Sequence, residues 1–231
     1  DATKGWIPLD DDASAFEPSP PPTQKALFGY GEIGGAVSMT NLVNSSGVVA
    51  ADTTGVGTAR YHLAATGYGG DKAIFGYGNT GSRVSLTNLV NNSGVVAADV
   101  TGVGTARDQL GAASYGGDKA IFGYGNTGSV SSITNKVSNS GVVASDTTGV
   151  GTARRNIAAA SYGGDKAIFG YGLNSGTTRV SMTNLVNNSG VVATDTTGVG
   201  SARYGLAAAS YGGDKAIFGY GITTGDADSW V

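Results

Sequence analysis

The sequence contains no cysteine, one histidine and, beyond residue 22, no proline. The lack of cysteine excludes disulfide staples, thiolate nucleophiles and thiolate zinc sites. The lone His62 leaves no second imidazole with which to build a His-based metal or nucleophile constellation. Charge is scarce too: 13% of residues are Asp, Glu, Lys or Arg, and the pI of about 5.0 is far from that of a nucleic-acid binder. No apolar run reaches the roughly 18–20 residues of a membrane helix, so no membrane insertion is expected. No charged-then-apolar signal opens the chain, and its start at Asp1 rather than Met suggests a processed product or a segment of something longer. What is abundant is glycine, 40 of 231 residues. Each costs about 0.8–1 kcal/mol relative to Ala inside a helix, so the composition points to a turn-rich all-β protein.

The unusual residues are segregated. All five prolines (Pro8, Pro18, Pro20, Pro21, Pro22) and Trp6 lie in residues 1–24, which carry a net charge of −4; Trp230 lies in residues 226–231, which carry −2. The remaining residues, 25–225, carry +3. The sequence thus divides into a Pro-rich acidic N-terminal arm (1–24), a repeat domain (25–225) and a C-terminal tail (226–231). Pro18-Ser19-Pro20-Pro21-Pro22 favours a stiff polyproline II spacer. It holds out the apolar patch Trp6, Ile7 and Leu9, a candidate anchor for a partner.

The body is a repeat. Lys-Ala-Ile-Phe-Gly-Tyr-Gly starts at Lys72, Lys119, Lys166 and Lys215, with a Leu variant at Lys25, giving spacings of 47, 47, 47 and 49 residues. A second block, Gly-Val-Val-Ala-x-Asp-x-Thr-Gly-Val-Gly-x-Ala-Arg, ends at Arg60, Arg107, Arg154 and Arg203. Both series gain two residues between Leu173 and Arg179, which marks a loop. Each period divides into four short β-like runs: an Ala-rich run after the Arg, a Gly-Gly-Asp hairpin into the Lys-to-Tyr run, a Thr-Asn-Leu-Val run, and an Asn-rich turn into Val-Val-Ala. Four antiparallel strands in about 47 residues is the size of one β-propeller blade.

That order of Ala-Arg, small apolar strand, Gly-Gly turn and aromatic strand resembles a kelch-type blade. It departs from kelch in lacking the Trp and Tyr of the later strands. The wording of the repeats is similar to repeat arrays in virion structural proteins of tailed bacteriophages. The resemblance spans about residues 25–221, implies a propeller-like module on a virus particle, and brings no catalytic residue with it. Three repeats are complete (60–105, 107–152 and 154–201); residues 25–58 supply strands two to four of another, and 203–221 strands one and two of a last. Five blades are favoured over four, the latter obtained by joining the two partial sets with one strand left over. A β-solenoid is the alternative fold.

Recurring Asp52, Asp99, Asp146 and Asp195 end the fourth run, where side-chain bonding to backbone is the expected role and an axial cation site the alternative. The recurring lysines are expected to face solvent, some paired with the adjacent Asp. Gly-Val-Gly-Thr lacks the Lys-Ser/Thr pair of a phosphate loop. The repeats differ from one another mainly in the loop after the Gly-Tyr-Gly run and just after each Arg. These two connections fall on one face of an up-and-down blade and supply the candidate ligand residues Tyr61, His62, Asn79, Arg83, Asn126, Asn174, Arg179 and Tyr204. Near-identical repeats place the same groups many times around an axis, which suits multivalent docking better than one asymmetric catalytic site. The expected function is non-enzymatic, without cofactor: a structural or attachment module of a virion, or an extracellular one. Its expected partners are other virion proteins or copies of itself. A sugar-binding propeller with one weak site per blade is the alternative.

Overall fold

A computed structural model describes residues 26–223. The Trp6, Ile7, Leu9 anchor, the proline spacer and the tail lie outside the described residues. Among those described there is no helix, and thirteen strands form five small antiparallel sheets. Strands β1 (Ala26–Glu32) and β2 (Ala36–Val43) pair in repeat 1, and β3 (Ala64–Tyr68), β4 (Lys72–Gly76) and β5 (Thr87–Val90) in repeat 2. Repeat 3 holds β6 (Gly111–Tyr115), β7 (Lys119–Asn126) and β8 (Val130–Val137), and repeat 4 holds β9 (Ala158–Tyr162), β10 (Lys166–Gly170) and β11 (Thr183–Val186). Repeat 5 holds β12 (Ala207–Tyr211) and β13 (Lys215–Gly219).

Turn chemistry fixes the hairpins. Both glycines of each Gly-Gly-Asp turn have positive φ, for example 62° at Gly69 and 81° at Gly70, where a Cβ would be strained. At the other turn Asn44, Asn91 and Asn187 each accept two backbone N–H bonds through Oδ1, and Ser138 Oγ does so in repeat 3.

The fourth run differs from expectation. It is not a continuous strand but meets the third at two bridges, such as Val90↔Val96 and Thr87↔Val100. Between these bridges the third strand advances three residues and the fourth advances four, in every repeat that has both. The surplus residue is a bulge, which turns the neighbouring Asp out of the ladder. A second bulge lies opposite the aromatic strand: from Gly29 to Gly31 β1 advances two residues while β2 advances three, Thr40 to Val37, and β7 and β8 do the same between Gly123 and Gly125. The single residue facing each bulge is tyrosine, Tyr30 in β1 and Tyr124 in β7. Tyr30, Tyr77, Tyr124, Tyr171 and Tyr220 all adopt left-handed φ values of 63–65°, which is uncommon for a bulky side chain.

The core lies between sheets. Phe75, Phe122 and Phe169 are buried against the preceding repeat, where the opposing residues are Gly29, Gly76 and Gly123. Tyr30, Tyr77, Tyr124 and Tyr171 each meet the next repeat's phenylalanine with ring centroids 5.0–5.4 Å apart. Three apolar clusters follow, one for each of the first three seams between repeats. At roughly 1.5–3 kcal/mol for burying one large side chain, this is the principal stabilisation of the stack. Backbone and hydroxyl bonds run along it too: Gly69 N donates to Asp118 O at 2.6 Å, and Ser114, Ser161 and Ser210 Oγ each donate to a carbonyl of the preceding repeat.

Candidate functional site

Two constellations stand out, the charged node inside each seam and the variable edge. The node begins with the arginine that opens each repeat. Arg60, Arg107 and Arg154 are fully buried, with the guanidinium carbon 4.4, 4.1 and 4.8 Å from the centroids of the Tyr30, Tyr77 and Tyr124 rings. The left-handed turn of the backbone at each tyrosine goes with a ring set under the arginine, a desolvated cation–π contact. Arg60 Nη2 donates to Asn88 Oδ1 at 2.5 Å, and Arg154 Nη2 donates to Asn184 Oδ1. Arg107 instead gives Nε to Tyr124 O at 2.9 Å, which leaves Asn135 Oδ1 buried without a partner.

The same asparagines anchor the bulged aspartates. Asn88, Asn135 and Asn184 Nδ2 donate at 2.9 Å to Asp99, Asp146 and Asp195. Each Asp also accepts the backbone N–H and hydroxyl of a threonine just before its own repeat: Thr58, Thr105 and Thr152, with Oγ1 at 2.6, 2.6 and 2.7 Å. The recurrent aspartates are therefore backbone and hydroxyl acceptors, bonded to segments about one repeat earlier. Burial raises their pKa values, but the Thr and Asn donors, with the nearby arginine, outweigh it and hold all three carboxyls below the usual range. Burial also lowers the guanidinium pKa of each arginine, opposed by the tyrosine beneath and by the aspartate. Among the described residues, no group of three His, Asp or Glu side chains is placed to hold a metal ion.

At the variable edge the structure brings the two connections together. Tyr61 and Asn79 exchange both backbone hydrogen bonds, as do Asp108 and Asn126, Arg155 and Leu173, and Tyr204 and Ile222. Residues His62, Gln109, Asn156 and Gly205 have positive φ, and their backbones link repeat to repeat, Gln109 N donating to His62 O at 2.9 Å. The polar side chains there mostly satisfy one another. Asp108, which sequence reasoning missed as a site residue, accepts from Asn79 Nδ2 at 2.9 Å and Arg83 Nε at 3.2 Å. Asn126 and Asn174 use Oδ1 to close their own turns, and Arg179 lies over the Tyr204 ring at 5.3 Å. His62 is exposed beside Tyr61, ring centroids 4.9 Å apart. Lys72, Lys119, Lys166 and Lys215 each pair with the preceding aspartate at 2.5–3.1 Å.

Neither groove that we describe is lined by the eight predicted ligand residues. One, of about 550 Å³, lies between repeats 4 and 5; the other, of about 200 Å³, lies between the outer strands of repeats 2 and 3. Fold and site together define an all-β repeat protein whose buried polar groups hold one repeat to the next. No protein-family model and no curated protein matches the chain.

Proposed function

We propose that the chain is a non-enzymatic structural or attachment module, with its repeats arranged as the blades of a propeller-type array, the outer two incomplete. The observation that carries this reading is the seam. The same Tyr-Arg-Asn-Asp-Thr set recurs between successive repeats, so the scarce charge is invested in joining repeats. Repetition of that kind presents identical surfaces at fixed intervals, suited to docking at several points. The similarity of the repeats to arrays in phage virion proteins supports a virus particle as the assembly, with Trp6, Ile7 and Leu9 of the arm as the anchor. Deleting residues 1–24 tests this. Incorporation into the parent particle is expected to be lost while the body keeps its melting transition; unimpaired incorporation refutes the anchor.

A second reading, a glycan-binding module, is favoured by the pair of half-buried Tyr61 and exposed His62 at the variable edge. Binding on a glycan array that weakens on Tyr61→Ala or Tyr204→Ala, and persists without the arm, would establish it.

A further inference from the structure

Among the described residues, the two ends of the stack lack opposite halves of one seam. At the back, repeat 5 has, among the described residues, only the two strands β12 and β13. Arg203 stacks on Tyr171 at 4.4 Å but, among the described residues, has no asparagine partner of the kind Arg60 and Arg154 have. Ser201, in the place of Thr58, Thr105 and Thr152, has no aspartate partner among the described residues. Tyr220 is 93% exposed where Tyr77 and Tyr124 are fully buried. The groove of about 550 Å³ lies where strands three and four would sit; Tyr162, Tyr171, Tyr211 and Phe218 line it, and no residue of repeat 1 does.

At the front, repeat 1 carries what is missing. Asn41 donates to Asp52 at 2.7 Å, as Asn88 does to Asp99, yet among the described residues Asp52 has no threonine donor and Asn41 no arginine. Strand β2 pairs with β1 through Ala26↔Val43, Leu27↔Leu42, Phe28↔Asn41 and Gly29↔Thr40. Strand β13 carries the same residues at Ala216, Phe218 and Gly219, with Ile217 for Leu27. Among the described residues, no strand pairs with its edge away from β12.

We propose that the front of a second copy completes repeat 5: its β2 and bulged fourth run enter the groove, and β13 takes over the ladder position that β1 holds. The exchange is nearly neutral on the β1 side, because Tyr220 then lies where Tyr30 did, under Arg60 and beside Phe75 of the second copy. It is favourable on the other side, where Asn41 accepts from Arg203 and Asp52 accepts from Ser201. The two ends are different surfaces, so the contact is heterologous and repeats from copy to copy, giving rings or filaments. This deepens the structural-module reading and rests on it by naming the partner as the chain itself.

The absence of cysteine makes a clean test, run on the full 231-residue chain. Asp52→Cys combined with Ser201→Cys is expected, on mild oxidation, to give a ladder of disulfide-linked dimers and larger species that reductant collapses. A faster-migrating oxidised monomer would mean the chain closes on itself, and unlinked thiols would mean that the ends do not meet. Either overturns the proposal. Sedimentation of the unsubstituted chain guards against a folding defect in the variant. It should show concentration-dependent association, weakened at least about tenfold by Asp52→Ala through loss of charge-assisted bonds; a monomer at every concentration also overturns it. Lost association with intact particle incorporation defeats this inference alone. Association that persists while incorporation survives arm deletion defeats the anchoring function instead.

Discussion

Replacing Gly123 by Ala isolates the packing of one seam. A Cβ on Gly123 would lie 2.7 Å from Phe169 Cζ and 3.1 and 3.2 Å from its Cε atoms. Phe169 is fully buried, so the ring has nowhere to retreat. The backbone of Gly123 is ordinary strand, and the obstacle is therefore space alone. Overpacking of this kind costs about 1–3 kcal/mol, and the stiffer unfolded chain returns about 0.4–1 kcal/mol. The net is a loss of up to about 2.6 kcal/mol, a fall in Tm of up to about 10 °C for a body of this size. Gly219 is the internal control. It holds the same place in the last repeat, again without positive φ, but has nothing within 4 Å of its Cβ position. Gly219→Ala should raise Tm by about 1–4 °C. Thermal melts at low protein concentration decide. Equal shifts for Gly123→Ala and Gly219→Ala would refute the Phe-into-Gly account of the seam. Adding Phe169→Leu to Gly123→Ala should cost less than the sum of the singles.

The charged node gives two further expectations. Arg107→Lys should lose about 2–4 kcal/mol in urea denaturation, because one ammonium cannot serve Tyr124 O, Thr105 O and the Tyr77 face together; near-wild-type stability would show that the fork is dispensable. Asp99, Asp146 and Asp195 have folded pKa values below the ordinary aspartate value of about 3.9. Their contribution is therefore complete above the unfolded value and lost as pH falls through the folded one. Melting temperature should hold from pH 7 to 5 and drop below about pH 4; replacing all three by Asn should lower Tm at neutral pH and flatten the acid limb. An unchanged acid limb would remove these carboxylates from the account.

Much of the architecture was legible in the residues. The 47-residue period, the Gly-Gly-Asp hairpins and the Asn-capped turns carry their own local chemistry, since Gly supplies positive φ and an Asn side chain closes a turn on its own backbone. The candidate pairing of the two variable connections was legible from their order along an up-and-down unit. The node was not. Asp99 finds Thr58 forty-one residues back, across a seam, and the sequence pattern does not say which face of one repeat meets the next. The left-handed tyrosines were hidden as well, because Tyr is an unusual residue for that conformation and only the flanking glycines hinted at an irregular backbone. One signal was available. In a chain so poor in charge, an arginine recurring at a fixed place with an aspartate and an asparagine in step is better explained by burial than by exposure.

The central claim is that seams hold the repeats together and that the two ends carry separate halves of one more. Amide exchange followed residue by residue tests it most directly. The Thr105 and Thr152 N–H groups, bonded to Asp146 and Asp195, should exchange slowly at all protein concentrations. The Ser201 N–H should exchange fast in dilute solution and become protected as concentration rises and Asp52 of a second copy reaches it. A Ser201 amide whose exchange does not respond to concentration would contradict the account.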